Sequence, residues 1–197
     1  MPKVGMEPIR KAQLIDATLK SIEENGLQGT TIAKICKISG LAQGIVSHYF
    51  GGKQQLIEAT VWYLISSLQV ELVKKLVSID PDDHVARLHA IIDSNFSHIQ
   101  TSKPSSVTWI SFWAQSAHDP SLARLQNINE RRLLSNIKYS MKRLVSEEEY
   151  VAVSQTLAAL IDGLWLRSAL SQGAVTMEQS VELCKKYIDD VAGVTHE

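Results

Sequence analysis

Cysteine is scarce and scattered. Cys36 and Cys184 are the only two, with no CxxC pair, so neither a disulfide framework nor a thiolate metal site is expected. Both fall in apolar helical stripes, the setting of buried free thiols. No strand-like alternation, internal repeat or low-complexity tract occurs, which leaves no sheet or solenoid to build. No apolar run reads as long enough to cross a bilayer. The start, MPKVGMEPIRK, lacks the apolar middle of a secretion signal. A cytoplasmic protein with no membrane partner is the expectation. An excess of one charge is missing too: 20 Lys and Arg meet 21 Asp and Glu, a net −1. The distribution is less even. Residues 1–60 hold seven Lys or Arg and five Asp or Glu, about +2, and the remainder thirteen and sixteen, about −3. A mildly basic head on an acidic body suits phosphate contact at one end.

Signals of catalysis are thin. The six histidines show neither HxxxH nor HExxH spacing, and no GxSxG or strand-borne GxGxxG is present. No nucleophile–base pair stands out, so no catalytic residue, metal or cofactor is expected. Glu147, Glu148 and Glu149 sit at an expected helix start, where the dipole favours negative charge; a solvated cap accounts for them.

What the chain does have is helical periodicity. Ile9–Asn25 carries Ala12, Ile15, Leu19 and Ile22 on one face. A helical pair within 31–50 follows, then helices over 53–79, 84–100, 105–117, 121–144, 147–172 and from Thr176 to about 191. The stops between them are Gly26, Asp80-Pro81, Lys103-Pro104, Asp119-Pro120 and Gly173. Residues 1–8 read as a mobile arm. The fold class is all-α, about nine helices, with enough chain to bury a sizeable core. The last two helices have wide apolar faces; Met177, Val181, Cys184, Ile188 and Val191 recur at steps of four and three. Such faces would be exposed on a lone chain and are covered if two copies pair.

The stretch TIAKICKISGLAQGIVSHYFGGK, Thr31 to Lys53, reads as two helices and a tight turn. Thr31 can cap the first helix, and Gly40 accepts the left-handed backbone that ends it. On the second helix, Ile45, Val46 and Phe50 turn inward, while Gln43, Gly44, Ser47, His48 and Tyr49 offer small or hydrogen-bonding surface. Two helices of an ordinary bundle have the same spacing. If the second helix enters a major groove, Gln43 is the expected base reader, with Gly44 permitting close approach and Ser47 adding a contact. Thr31, His48, Tyr49 and Lys53 would hold phosphates. The run GLAQGIVSHYF, followed two residues on by Lys53, is similar to the N-terminal domain of tetracycline-repressor-like (TetR) regulators. The likeness extends from about Ile9 to Ala59. It implies a DNA-binding head over residues 1–55 and a ligand-binding, dimerising body over 56–197. A homodimer on a pseudo-palindromic operator is also implied. The paired glycines Gly51-Gly52 depart from the family, many of whose members carry larger residues there.

The tryptophans all lie outside the head, at Trp62, Trp109, Trp113 and Trp165. Trp109 and Trp113 are four apart, beside Phe112, and Asp162 precedes Trp165 by three on one helical face. Rings at this spacing also suit an ordinary core, and Asp162 could bond Arg167 or a partner-subunit group. Aromatic faces with one acid would suit a quaternary ammonium ion, which has no N–H to donate. The segments ISFWAQSAHDPSLARLQ and ALIDGLWLRSAL resemble the choline-responsive branch of the family, repressors of choline-to-glycine-betaine genes. That resemblance implies a repressor released from its operator by choline. The alternatives are a repressor sensing another lipophilic or quaternary cation, as in efflux regulation; an enzyme acting on a small cation; or a purely structural dimerisation protein.

Overall fold

In a computed structural model, residues 6–171 and 173–194 are described. They form ten helical segments and, among the described residues, no strand. The segments are α1 (Met6–Gly29), α2 (Ile32–Ser39), α3 (Gly44–Phe50), α4 (Lys53–Leu76), α5 (His84–Asn95), α6 (His98–Thr101), α7 (Lys103–Ser116), α8 (Pro120–Met141), α9 (Tyr150–Leu170) and α10 (Met177–Ala192). α6 is a single turn of four residues. Two compact units emerge. The first takes residues up to Ser66 together with Ser102–Gln126; the second takes Ser67–Thr101 together with the residues from Asn127 on.

In the first unit, Leu14, Ala17, Ile35, Cys36, Val46 and Leu56 form one buried cluster, with Ile45, Leu41, Tyr49 and Phe50 packed against it. These positions come from α1, α2, α3 and α4, so the apolar stripes of four short pieces close on one another. Hydroxyls finish the core without leaving polar groups stranded. Thr18 Oγ1 donates to the Leu14 carbonyl at 2.7 Å, and Thr30 Oγ1 to the Gly26 carbonyl at 2.8 Å. α1 also packs on α7, where Lys103 lies 3.5 Å from Glu23.

In the second unit, α10 packs on α5 and α9. A Thr176–Gln179 capping box starts α10, and Gly193 in the left-handed conformation ends it. An ion pair and a second close polar contact join α10 to α5. Lys185 Nζ is 2.7 Å from Asp93, and His89 Nε2 is 2.9 Å from Asp189 Oδ1, close but without hydrogen-bond alignment. Leu88, Ile92, Ile137, Met141, Leu157, Ile161, Cys184 and Ile188 fill the interior.

Several boundaries differ from the sequence reading. α1 begins at Met6, so residues 6–8 are helical rather than part of an arm; residues 1–5 lie outside the described residues. Pro8 is tolerated there because first-turn N–H groups have no helical partner. Gly26, at φ 70°, leaves helical geometry inside α1, and one further turn runs to Gly29. The helix expected over 84–100 breaks after Asn95. Ser94 Oγ bonds the Ala90 carbonyl and Asn95 Nδ2 the Ile91 carbonyl, local bonds that compete with the backbone ladder. Gln172, at the expected end of α9, is outside the described residues. α4 corrects a further expectation. It has an 18-residue window of mean hydropathy 1.3, long and apolar enough by length and composition to cross a bilayer. Of that window 44% is buried in the protein, and its stretch runs through both units, so much of its apolar surface serves their cores.

The six-residue cluster predicts a stability effect. Ile35 is fully buried, so Ile35→Ala should lower unfolding free energy by about 2–5 kcal/mol, read from urea denaturation. A loss below about 0.5 kcal/mol, the range of surface substitutions, would show that the cluster is not the core of the head.

Candidate nucleic-acid interface and ligand-site residues

The α2–α3 pair is assembled from local signals. Thr31 caps α2, its side chain accepting from the Lys34 N–H at 3.3 Å. Gly40 closes α2 at φ 70°, and the Leu41 N–H donates to Ser39 Oγ at 3.4 Å in the turn. α3 then runs seven residues, and Gly51, at φ 87°, ends it by donating its N–H to the Ser47 carbonyl. A β-carbon at Gly51 would strain this cap. α4 begins at Lys53 two residues on, so the paired glycines form the sharp junction between the two helices.

α3 is split cleanly into two faces. Val46 is fully buried, and Ile45, Tyr49 and Phe50 are partly buried on the cluster. Gln43, Gly44, Ser47 and His48 are exposed, as is Thr31; Tyr49 and Lys53 are half-buried. A β-carbon built at Gly44 would meet nothing within 4 Å, so the protein itself does not require glycine there. His48 and Tyr49 rings lie 5.0 Å apart. Lys11 Nζ pairs with Glu7 at 2.6 Å and sits 6.0 Å from the Tyr49 ring centroid. The geometry brings Gln43, Gly44, Ser47 and His48 onto one outward ridge, with Lys53 opening the next helix. The free N–H groups of that helix start favour an anion.

A bracing network beside this ridge escaped the sequence reading. Gln54 Nε2 donates to Asp119 Oδ2 at 2.8 Å, and the Ser121 hydroxyl lies 2.8 Å from Glu58 Oε1 and 2.7 Å from Asp119 Oδ1. Asp119 also accepts from the Ser121 and Leu122 N–H groups, capping α8. The Ser121 hydroxyl, then these N–H groups and Gln54, hold the Asp119 carboxyl below the usual carboxylate range. Asp119-Pro120 was legible as a stop; the capping role of Asp119 and its partners on α4, some 65 positions earlier, were not.

The body residues fall into two groups. In the first unit Trp109 and Phe112 are buried, with ring centroids 5.7 Å apart, and Trp113 lies 5.9 Å from Trp109. Trp62 is 45% exposed. In the second unit Trp165 is buried, whereas Asp162 reaches solvent on the outer side of α9. The sequence around Asp162, LAALIDGLWL, is apolar, a setting that makes a bare buried carboxylate costly. Its side chain emerges on a face that its own chain leaves uncovered. Neighbouring protein still crowds it. Desolvation, then Glu130, pushes its carboxyl up to about 6. Among the described residues no group of three or more His, Cys, Asp or Glu side chains is placed to hold a metal.

Comparison with known proteins agrees with this architecture. Residues 14–60 match the family model for bacterial regulatory proteins of the tetR family, and residues 84–193 match that of the BetI-type transcriptional repressor C-terminal domain. The chain is 43% identical over 189 residues to the HTH-type transcriptional regulator BetI of Ectopseudomonas mendocina, covering 96% of each protein. It is 46% identical to that of Burkholderia cenocepacia, covering 96% of this chain and 97% of the relative. Among solved structures, a candidate transcriptional regulator from Pseudomonas aeruginosa PAO1 superposes with a TM-score of 0.81 at 24% identity, covering 95% and 92% of the two chains. A candidate regulator from Saccharomonospora viridis, solved in complex with choline, superposes at 0.80 with 15% identity, covering 92% and 96%. The chain is thus a DNA-binding transcriptional repressor of the TetR family, with a C-terminal domain of the BetI type.

Proposed function

We propose that this repressor acts as a homodimer in the cytoplasm on the genes that convert choline to glycine betaine, and that choline releases it from a pseudo-palindromic operator. Residues 1–55 would read the DNA and residues 56–197 would bind ligand and dimerise, without catalysis or cofactor. The observation that carries the DNA half is the exposed ridge Gln43-Gly44-Ser47-His48 over the buried Val46. Gln43 would pair with a base edge, Gly44 would let the backbone approach, and Ser47 would add a contact. Thr31, His48, Tyr49 and Lys53 would grip phosphates. α4, a single helix with residues in both units, is the element through which a ligand would alter the spacing of the heads. Release then requires choline to prefer the spacing that does not fit DNA.

Dimerisation is supported by what the second unit leaves uncovered. Ala152, Ala159, Gly163 and Leu170 on α9, with Leu183 on α10, are exposed on the single chain. Small residues at steps of seven and four permit close helix approach, and a two-fold pairing would bury them.

The choline half is supported by the 42–46% identity to BetI regulators and by the choline complex of a similarly folded protein. Ligand residues are proposed on each unit separately: Trp109, Phe112 and Trp113, with Trp62, on the first; Asp162 and Trp165 on the second. A repressor answering to another quaternary cation is separated from this reading by titrating a panel of cations.

The DNA half and the choline half each carry expected outcomes. Gln43→Ala and Gly44→Val should keep the fold, by circular dichroism, yet weaken operator binding at least about fivefold in fluorescence anisotropy, since one lost base contact costs about 1–3 kcal/mol. Unchanged affinity in both variants would remove α3 as the reading element. Choline should quench tryptophan emission and release the operator. Asp162 is ionised above about pH 6 and neutral below it, so if its carboxylate balances the ammonium, choline affinity should hold near pH 7.5 and fall as pH drops through about 6. Asp162→Asn should weaken choline on the order of tenfold at pH 7.5, about 1.4 kcal/mol, and abolish that pH dependence. Persistence of the same pH profile in Asp162→Asn would exclude this carboxylate as the counter-charge.

A further inference from the structure

On the second unit, one face of α8 opens as a groove of about 430 Å³. It is lined by Arg131, Leu134, Ser135, Lys138, Tyr139 and Lys142, together with Tyr150, the first residue of α9. The volume lies within the range of sites for small organic molecules. The lining contains three cations and no acid, in a part of the chain whose formal charge is about −3. Arg131, Lys138 and Lys142 recur at steps of seven and four, so they line up over about 16 Å of helix. None of the three has a carboxylate within 4.0 Å among the described residues.

Neighbouring acids do not line the groove. Glu130 is next to Arg131 in sequence but acts on Asp162 of α9. In the acidic turn before α9, Glu149 accepts from the Ser146 hydroxyl at 2.7 Å, while Glu147 and Glu148 are exposed. Two more cations are gathered at the rim. The guanidinium carbons of Arg87 and Arg143 each lie 4.9 Å from the Tyr139 ring centroid. Tyr139 is therefore held by cation–π contacts that also raise the local positive potential. Its ring already has these partners, which leaves Tyr150 as the aromatic wall available to an occupant.

We propose that this groove is a second ligand site, distinct from the choline response, that takes a phosphorylated, ring-bearing small molecule of about nucleotide size. Arg131, Lys138 and Lys142 bind the phosphates, Arg by its planar fork and Lys as point charges. Tyr150 stacks on the ring, and Leu134 supplies apolar contact.

The test is isothermal titration calorimetry of the full chain with ATP, inorganic pyrophosphate and adenosine as probes. ATP should bind with a sub-millimolar dissociation constant that weakens as salt rises from about 50 to about 300 mM. The double variant Arg131→Ala/Lys138→Ala should lose at least tenfold in ATP affinity. Tyr150→Ala should lose several-fold for ATP and leave pyrophosphate unchanged. If the double variant does not fold, Lys142→Ala alone should still weaken ATP. No heat with ATP at about 5 mM would overturn the site. So would ATP affinity that is insensitive to the groove variants but falls in Lys53→Ala, since it would place the anion on the head. Weakened operator binding without weakened ATP in the double variant would assign the groove to the DNA backbone and equally reject the small-molecule reading.

Discussion

A seven-residue helix does not hold itself together in water. α3 exists because Val46, with Ile45, Tyr49 and Phe50, is pressed into the cluster of Leu14, Ala17, Ile35, Cys36 and Leu56. That burial fixes the helix's rotation, and the rotation decides which residues face out. A half-turn about its own axis would bring Val46 to the surface and withdraw Ser47. If the ridge reads DNA as proposed, recognition rests on the apolar packing behind it. The hinges at both ends serve the same purpose: Gly40 and Gly51 take left-handed backbone, so the helix is cut short where its inward residues run out.

The head was the most legible part of the chain because its signals are local. Thr31 as a cap, Gly40 as a stop and the inward trio of α3 each depend on neighbours within a few positions. Bond competition within Ser94-Asn95 was equally local, yet it was masked by an apolar stripe that continues through Ile99 and favours one long helix. The Gln54–Asp119–Ser121–Glu58 network was beyond reach for another reason. Each residue has an unremarkable surface composition, and only the folded chain makes α4 and the α7–α8 turn neighbours.

The body shows the limit of reading a side chain from its sequence surroundings. LAALIDGLWL is apolar almost throughout, which suggests that Asp162 is sunk among those residues. α9 instead divides them. Leu157, Ile161 and Trp165 turn inward, while Ala159, Asp162 and Gly163 turn out. An apolar segment with two apolar faces is what a helix needs when one side meets its own chain and the other meets a second copy. The carboxyl there is crowded enough for desolvation to push it up to about 6 and open enough to meet a cation. The aromatic cluster Trp109–Phe112–Trp113 sends a different message. Its rings already pack on one another, so any cation it admits must compete with ring–ring contact worth about 0.5–1.5 kcal/mol per pair.

The central claim is that the outward ridge of α3, backed by the first unit's core, is what touches the operator. Side-chain and backbone amide NMR of the full chain, titrated with duplex DNA from upstream of its own gene, examines that contact directly. The account predicts shifts concentrated at Gln43, Gly44, Ser47, His48 and Tyr49, the Gln43 carboxamide among them, with a second set at Thr31 and Lys53. Saturable binding that leaves the α3 resonances in place while others move would contradict it.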